Sequence, residues 1–238
     1  MRVITAIAGA FLAALALTPA AHAAPSSTPD GDVQPFIIGG GNASNAPWAA
    51  RLFVNGRENC SATIIAPTWI LTAYHCVASS GTYTFRIGSL DQTSGGTTAT
   101  GTQIVRHSSA DIALVKLNRS VPATYSPLGT TANVHVNDTV QLYGWGATCT
   151  DRPEIQCQSR YLKVANTVVT SVSCSDYRGG VAVCVRRGNG IAAGGDSGGP
   201  MFAGGKQVGV ASTSDRATRS AYTNITRYRP WIQSVAGV

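Results

Sequence analysis

Residues Ala192–Pro200 read AAGGDSGGP: one serine, Ser197, among four glycines, an aspartate and a proline. Glycines at this density mark a tight turn. A serine hydroxyl is a weak nucleophile unless a neighbouring base takes its proton. The run alone therefore leaves two readings, a nucleophile on a shaped turn or a bystander in a glycine loop. The choice between them rests on what the rest of the chain supplies.

A base is the first requirement, and histidine is the side chain best suited to hold and release a proton near neutral pH. Beyond the amino-terminal leader there are only three, His75, His107 and His135. His75 ends the segment WILTAYHC, Trp69–Cys76, where an apolar strand gives way to a histidine followed at once by a cysteine. A base of this kind also needs an acidic partner for its second ring nitrogen. SADIALVKL, Ser109–Leu117, offers Asp111 directly before an apolar run.

The surrounding chain favours β-structure. Of 238 residues, 12% are charged and 26 are glycine, while Val, Thr and Ile recur, a mixture suited to many strands and turns. Candidate strands cover Ala49–Val54, Ala62–Ala66, Tyr83–Ile87, Ile112–Leu117, Thr139–Tyr143, Tyr161–Val169 and Gln207–Ala211. Turn signals such as Asn55-Gly56, Ser94-Gly95-Gly96 and Arg178-Gly179-Gly180 separate them. Only Arg227–Ala236 reads as a helix, with Pro230 in its first turn. Residues 1–23 read as a secretory signal peptide: Arg2, an apolar run Ile4–Leu17, then Ala21-His22-Ala23 before the expected cut. Residues 24–36 are rich in Pro, Ser and Asp and read as an unstructured tail. A secreted, extracellular protein is expected, with no membrane span.

The net charge of +7 comes from scattered basic residues without a run longer than Arg186-Arg187, so no nucleic-acid partner is expected. No C-x-x-C pair is present and no metal or organic cofactor is expected. The six cysteines, Cys60, Cys76, Cys149, Cys157, Cys174 and Cys184, allow 15 connectivities, and spacing leaves the choice open.

Taken together, TAYHC, SADIALVKL and GGDSGGP, in the order His, Asp, Ser, resemble the three active-site blocks of the trypsin/chymotrypsin-like serine proteases. The resemblance spans about residues 37–238. It implies an all-β fold of two antiparallel Greek-key β-barrels with a C-terminal helix, the active site lying in the cleft between barrels. The subdomains implied are about 37–125 and 126–238. His75 would be the general base, Asp111 its orienter and Ser197 the nucleophile, with the backbone N–H groups of Gly195 and Ser197 as oxyanion hole. IIGG, Ile37–Gly40, resembles the family's activation site. Cleavage there would free the Ile37 amino group to pair with Asp196, making residues 24–36 a propeptide. Proximity and family pattern imply disulfides Cys60–Cys76 and Cys174–Cys184, with Cys149–Cys157 as a local loop outside the commonest family set. YGWG, Tyr143–Gly146, and PWI, Pro230–Ile232, also match. Protein or peptide substrates are the implied partners, protein protease inhibitors are candidates, and a monomer is the default expectation.

The chain departs from the family in its specificity pocket. Six residues before the serine, where trypsins carry an aspartate, stands Ile191. An apolar floor cannot pair with a buried ammonium or guanidinium. Ala193 replaces a familiar cysteine, and Thr213 a tryptophan. Ser214 and Ser220 stand where wide pockets have glycines, which points to small or medium apolar side chains. Ser212 matches the position whose backbone pairs with substrate as an added strand. Against a narrow pocket, Phe36 precedes the activation cut, and self-activation would require an aromatic ring to fit. Asp215, Arg216 and Arg219 keep a charge-based preference open. Two other readings are weighed. GDSGG satisfies the G-x-S-x-G pattern of α/β-hydrolases, but that fold needs the order Ser, Asp, His. A catalytically inactive protease-like binding protein is the alternative of a different class, and Tyr74 in place of the usual alanine is its one sign.

Overall fold

A computed structural model describes residues 37–238; the expected signal peptide and propeptide, 1–36, lie outside the described residues. The short strand β1 (Gly41–Asn42) precedes β2 (Ala49–Val54), β3 (Arg57–Ala66), β4 (Trp69–Thr72), β5 (Tyr83–Ile87), β6 (Thr97–Arg106) and β7 (Ala113–Leu117). The last six close into an antiparallel barrel in the order β2-β3-β4-β7-β6-β5. A second set follows: β8 (Thr139–Gly144), β9 (Lys163–Ser175), β10 (Val181–Arg187), β11 (Pro200–Ala203), β12 (Lys206–Ser214) and β13 (Arg219–Asn224). Its order is β8-β9-β10-β13-β12-β11, and β11 pairs back onto β8 to close the ring. Each barrel thus takes its first three strands in sequence and its last three in reverse, the same Greek-key path twice. β1 pairs along β9.

Period-two patterning explains the best-defined strands. In β5, Tyr83, Phe85 and Ile87 face inward while Thr84 and Arg86 are half-buried; in β8, Val140 and Leu142 are buried between exposed Thr139 and Gln141. Leu52, Ile64, Ile70, Phe85 and Leu114 belong to the core of the first barrel, and Val140, Leu142, Val183, Met201 and Tyr222 to that of the second. The helix α1 (Arg229–Ala236) follows the second barrel in sequence, yet its fully buried Ile232 joins the core of the first. It starts with Pro230 in its first turn and stops at Gly237, whose φ of +79° ends the helix in the left-handed region. Among the described residues no helix is long and apolar enough to cross a membrane.

All six cysteines are paired, as Cys60–Cys76, Cys149–Cys157 and Cys174–Cys184. The first ties β3 to the 3₁₀ turn His75–Val77. The second closes a loop between β8 and β9, and the third staples β9 to β10.

Candidate active site

Strand register brings the first two candidate residues together. β4 and β7 run antiparallel with Thr72 opposite Ala113. His75 follows three residues after Thr72, and Asp111 lies two residues before Ala113. The His75 N–H donates to Asp111 Oδ1 at 3.0 Å, and its ring Nδ1 lies 2.8 Å from Asp111 Oδ2. The Ser212 hydroxyl, from β12, donates to the same Oδ2 at 2.6 Å. Asp111 is fully buried. Burial alone would favour its neutral form, but the hydrogen bonds from His75 and Ser212 outweigh it and hold the carboxyl below its ordinary range. An ionised carboxylate only accepts hydrogen bonds, so the His75 Nδ1 carries the hydrogen and the lone pair sits on Nε2.

Asp111 is fixed from its backbone as well. Its N–H donates to Asp176 Oδ2 at 2.9 Å. The buried Asp176 carboxylate also accepts the N–H groups of Arg178 and Gly180 and the Thr223 hydroxyl. A second-barrel carboxylate therefore holds the first-barrel residue that orients the histidine. Nothing in the local sequence of Asp176 marks this role.

Ser197 lies in the turn before β11. Asp196 N–H donates to the Ala193 carbonyl at 3.0 Å, Gly199 N–H to the Asp196 carbonyl at 2.8 Å, and Ser61 N–H to the Ser197 carbonyl at 2.8 Å. Gly195 and Gly198 have φ of +101° and +79°, and a Cβ at Gly198 would come within 2.2 Å of the Thr72 hydroxyl. Only glycine fits both conditions. The N–H groups of Gly195 and Ser197 have no acceptor among the described residues. Asp196 is buried behind them, accepting the N–H groups of Gly146 at 2.7 Å and Ala193 at 2.9 Å. Burial pushes its carboxyl up to about 6. In the continuous chain Asp196 makes no ion pair among the described residues. Ile37 is fully buried and has a φ of +43°, a strained value for a β-branched residue.

His75 and Ser197 line one cleft of about 350 Å³, together with Tyr177, Ala192, Ser212 and Ser214. Ile191 does not reach it: the residue is fully buried and its N–H donates to the Ile38 carbonyl at 3.0 Å. The Ser214 hydroxyl donates to the Ala192 carbonyl at 2.6 Å, and Ser220, which lines a neighbouring cavity, donates to Ser214 Oγ at 3.1 Å. These bonds tie the segment before the serine to the β12–β13 hairpin across the cleft. At its mouth, Arg216 pairs with Glu154 from the Cys149–Cys157 loop, Nη2 to Oε2 at 3.0 Å. His75 lies beside the sulfurs of Cys60 and Cys76, which are spent on each other.

The family model described as Trypsin matches residues 37–232. The chain belongs to the trypsin family. Trypsin delta of Drosophila melanogaster is 28% identical over 223 residues, covering 84% of this chain and 88% of its own. Achelase-1 of Lonomia achelous is 29% identical, covering 84% and 100%. An uncharacterized peptidase of Corynebacterium glutamicum is 29% identical, covering 83% and 70%. Among solved structures, human heparin binding protein superposes with a TM-score of 0.72 at 24% identity, covering 84% of this chain and 96% of that one; at this identity the likeness is one of fold. As a trypsin-family member with this all-β fold, the chain is a serine endopeptidase, a hydrolase acting on protein substrates.

Proposed function

We propose that this endopeptidase works through His75, Asp111 and Ser197. The observation that carries the reading is the His75–Asp111 pair, which leaves Nε2 as the basic nitrogen of a ring that shares its cleft with Ser197. The Ser197 Oγ attacks the scissile carbonyl carbon and its proton passes to His75 Nε2. The carbonyl oxygen becomes an oxyanion, stabilised by the N–H groups of Gly195 and Ser197. The C–N bond breaks, His75 returns the proton to the departing amine, and Ser197 is left acylated. Water then attacks the acyl group, giving its proton to His75, and Ser197 leaves with that proton.

Activation is by cutting before Ile37. The new ammonium pairs with Asp196, whose buried carboxylate otherwise lacks a cation in contact, and the cut also removes the constraint behind the strained φ of Ile37. Residues 1–23 direct secretion and 24–36 form the propeptide. The Ser220–Ser214–Ala192 hydrogen bonds favour a shallow primary pocket that takes small apolar side chains. Phe36 does not fit such a pocket, so a different protease makes the activating cut.

Digestion of a mixed peptide library by chain beginning at Ile37, with a Ser197→Ala control, tests the whole reading. Cleavage after Ala or Val, absent from the control, is the expected result. Cleavage after Lys, Arg or Phe overturns the pocket assignment. Absence of both cleavage and phosphonyl labelling at Ser197 moves the function to the protease-like binding protein.

A further inference from the structure

Arg51 has no part in the reaction above, yet it is fully buried on β2. Its Nε donates to Gln92 Oε1 at 2.8 Å, its Nη2 to Gln158 Oε1, and its Nη1 to the Gly195 carbonyl at 3.2 Å. The Ser61 hydroxyl donates to that same carbonyl at 2.9 Å. Among the described residues no carboxylate is in ion-pair contact with the guanidinium; the acidic groups acting on it at longer range are Asp196 and Glu58. Burial lowers it to about 10, so it stays charged at neutral pH. Stability is a weak reason for such a residue, because apolar side chains of similar volume often replace buried charges without loss. Its position supplies a stronger one, since the bond falls on the carbonyl of the residue whose N–H forms half of the oxyanion hole.

We propose that Arg51 is a positioning residue that holds the Gly195 carbonyl inward, beside Asp196, and so keeps the oxyanion-forming turn built in the uncut chain. The inference rests on the reading of Ser197 and Gly195 given above. In that reading a free Ile37 ammonium locks the turn after activation. In the continuous chain the turn is already held: two donors fix the Gly195 carbonyl, and two N–H groups hold the Asp196 carboxylate. That carbonyl shares its peptide plane with the Asp196 N–H, which donates to the Ala193 carbonyl at 3.0 Å, so both polar ends of the Gly195–Asp196 peptide unit are held. The guanidinium supplies positive charge near Asp196 before any amino terminus exists. The uncut chain is therefore a working, if slower, enzyme.

The test compares chain carrying Phe36→Pro, confirmed uncut by mass, with chain beginning at Ile37. The first readout is the rate at which a fluorophosphonate labels Ser197. The uncut form is expected to label within about 100-fold of the cut form, whereas an uncut chain slower by more than about 1000-fold, beyond the loss of a whole oxyanion donor, overturns the proposal. This comparison needs no change at Arg51. Arg51→Gln is expected to slow the uncut form by about a further 100-fold and the cut form by less than about 10-fold. The loss should fall on kcat for a small ester with KM unchanged, and Arg51→Lys should recover part of it. Equal losses in both forms, or no loss in the uncut form, overturn the proposal. Labelling of the cut form alone overturns it while leaving the nucleophile assignment intact; labelling of neither overturns that assignment too.

Discussion

Asp111 carries three hydrogen bonds on its carboxylate, two from His75 and one from Ser212. A hydrogen bond to a charged group contributes about 1.5–3 kcal/mol, and one unit of pKa corresponds to about 1.4 kcal/mol. The Ser212 bond favours the charged form, so Ser212→Ala raises the carboxyl toward its ordinary range. With its partner carboxylate held by one bond fewer, His75 is oriented less firmly, and the variant should lose kcat for a small ester by about 10-fold with the fold intact. Steady-state kinetics of variant and parent, beside their denaturation midpoints, check this. In the proposed pocket, Ser214 and Ser220 bear on substrate choice instead. Replacing both by glycine removes the bonds that cross the cleft and makes room for longer side chains. Each methylene accommodated is worth about 10- to 200-fold in discrimination, so the double variant should gain cleavage after Phe relative to Ala by at least that factor in the peptide library.

The helix α1 shows how one side chain ties an element to a distant part of the fold. Ile232 is fully buried against the first barrel, and Ile232→Ala should cost about 2–5 kcal/mol, read as a lower denaturation midpoint. This helix was legible from the chain because Pro230 and the apolar face of PWI announce it. So were β5 and β8, whose apolar residues alternate, and β2, a short and nearly continuous apolar run. β6, β10, β11 and β13 were not. β6 reads TTATGTQIVR and is largely exposed or half-buried, and β11 follows directly on the glycine turn. Such segments become strands because a closed barrel needs a partner on both sides of every strand, a condition local patterning does not carry. The same limit applies at the site. His75, Asp111 and Ser197 lie in recognisable blocks, whereas Arg51 is one arginine in a six-residue strand and Asp176 one aspartate beside a glycine turn. Their roles come from partners far away in sequence. The shared Greek-key path of the two barrels is likewise invisible as a sequence repeat, since it resides in strand order and not in side chains.

For the whole molecule, the proposed activation turns on the change of environment at Asp196. In the continuous chain its carboxyl is pushed from 3.8 to about 6. The folded state then binds more protons than the unfolded state between about pH 4 and 6, so this group makes stability fall as pH rises through that window. Asp196→Asn removes the effect, and the uncut variant should become more stable relative to its parent as pH rises from about 4 to 7. After the cut the sign reverses. In the proposed activation the carboxylate gains the Ile37 ammonium, and breaking a buried pair costs about 3–5 kcal/mol, so the same substitution should destabilise the cut form at neutral pH. Denaturant unfolding of both forms at the two pH values measures the reversal. The closed barrels have a different consequence, one for the survival of the enzyme among its own copies. A protease that draws substrate into its cleft as an extended strand needs a strand it can peel away, and neither ring leaves an open edge. Self-digestion therefore begins in loops, and 151–156 is mostly exposed, with Ile155 at 61%. That segment lies wholly inside the Cys149–Cys157 disulfide. A nick there leaves both ends fastened, so the scar of one encounter does not release the loop that carries Glu154.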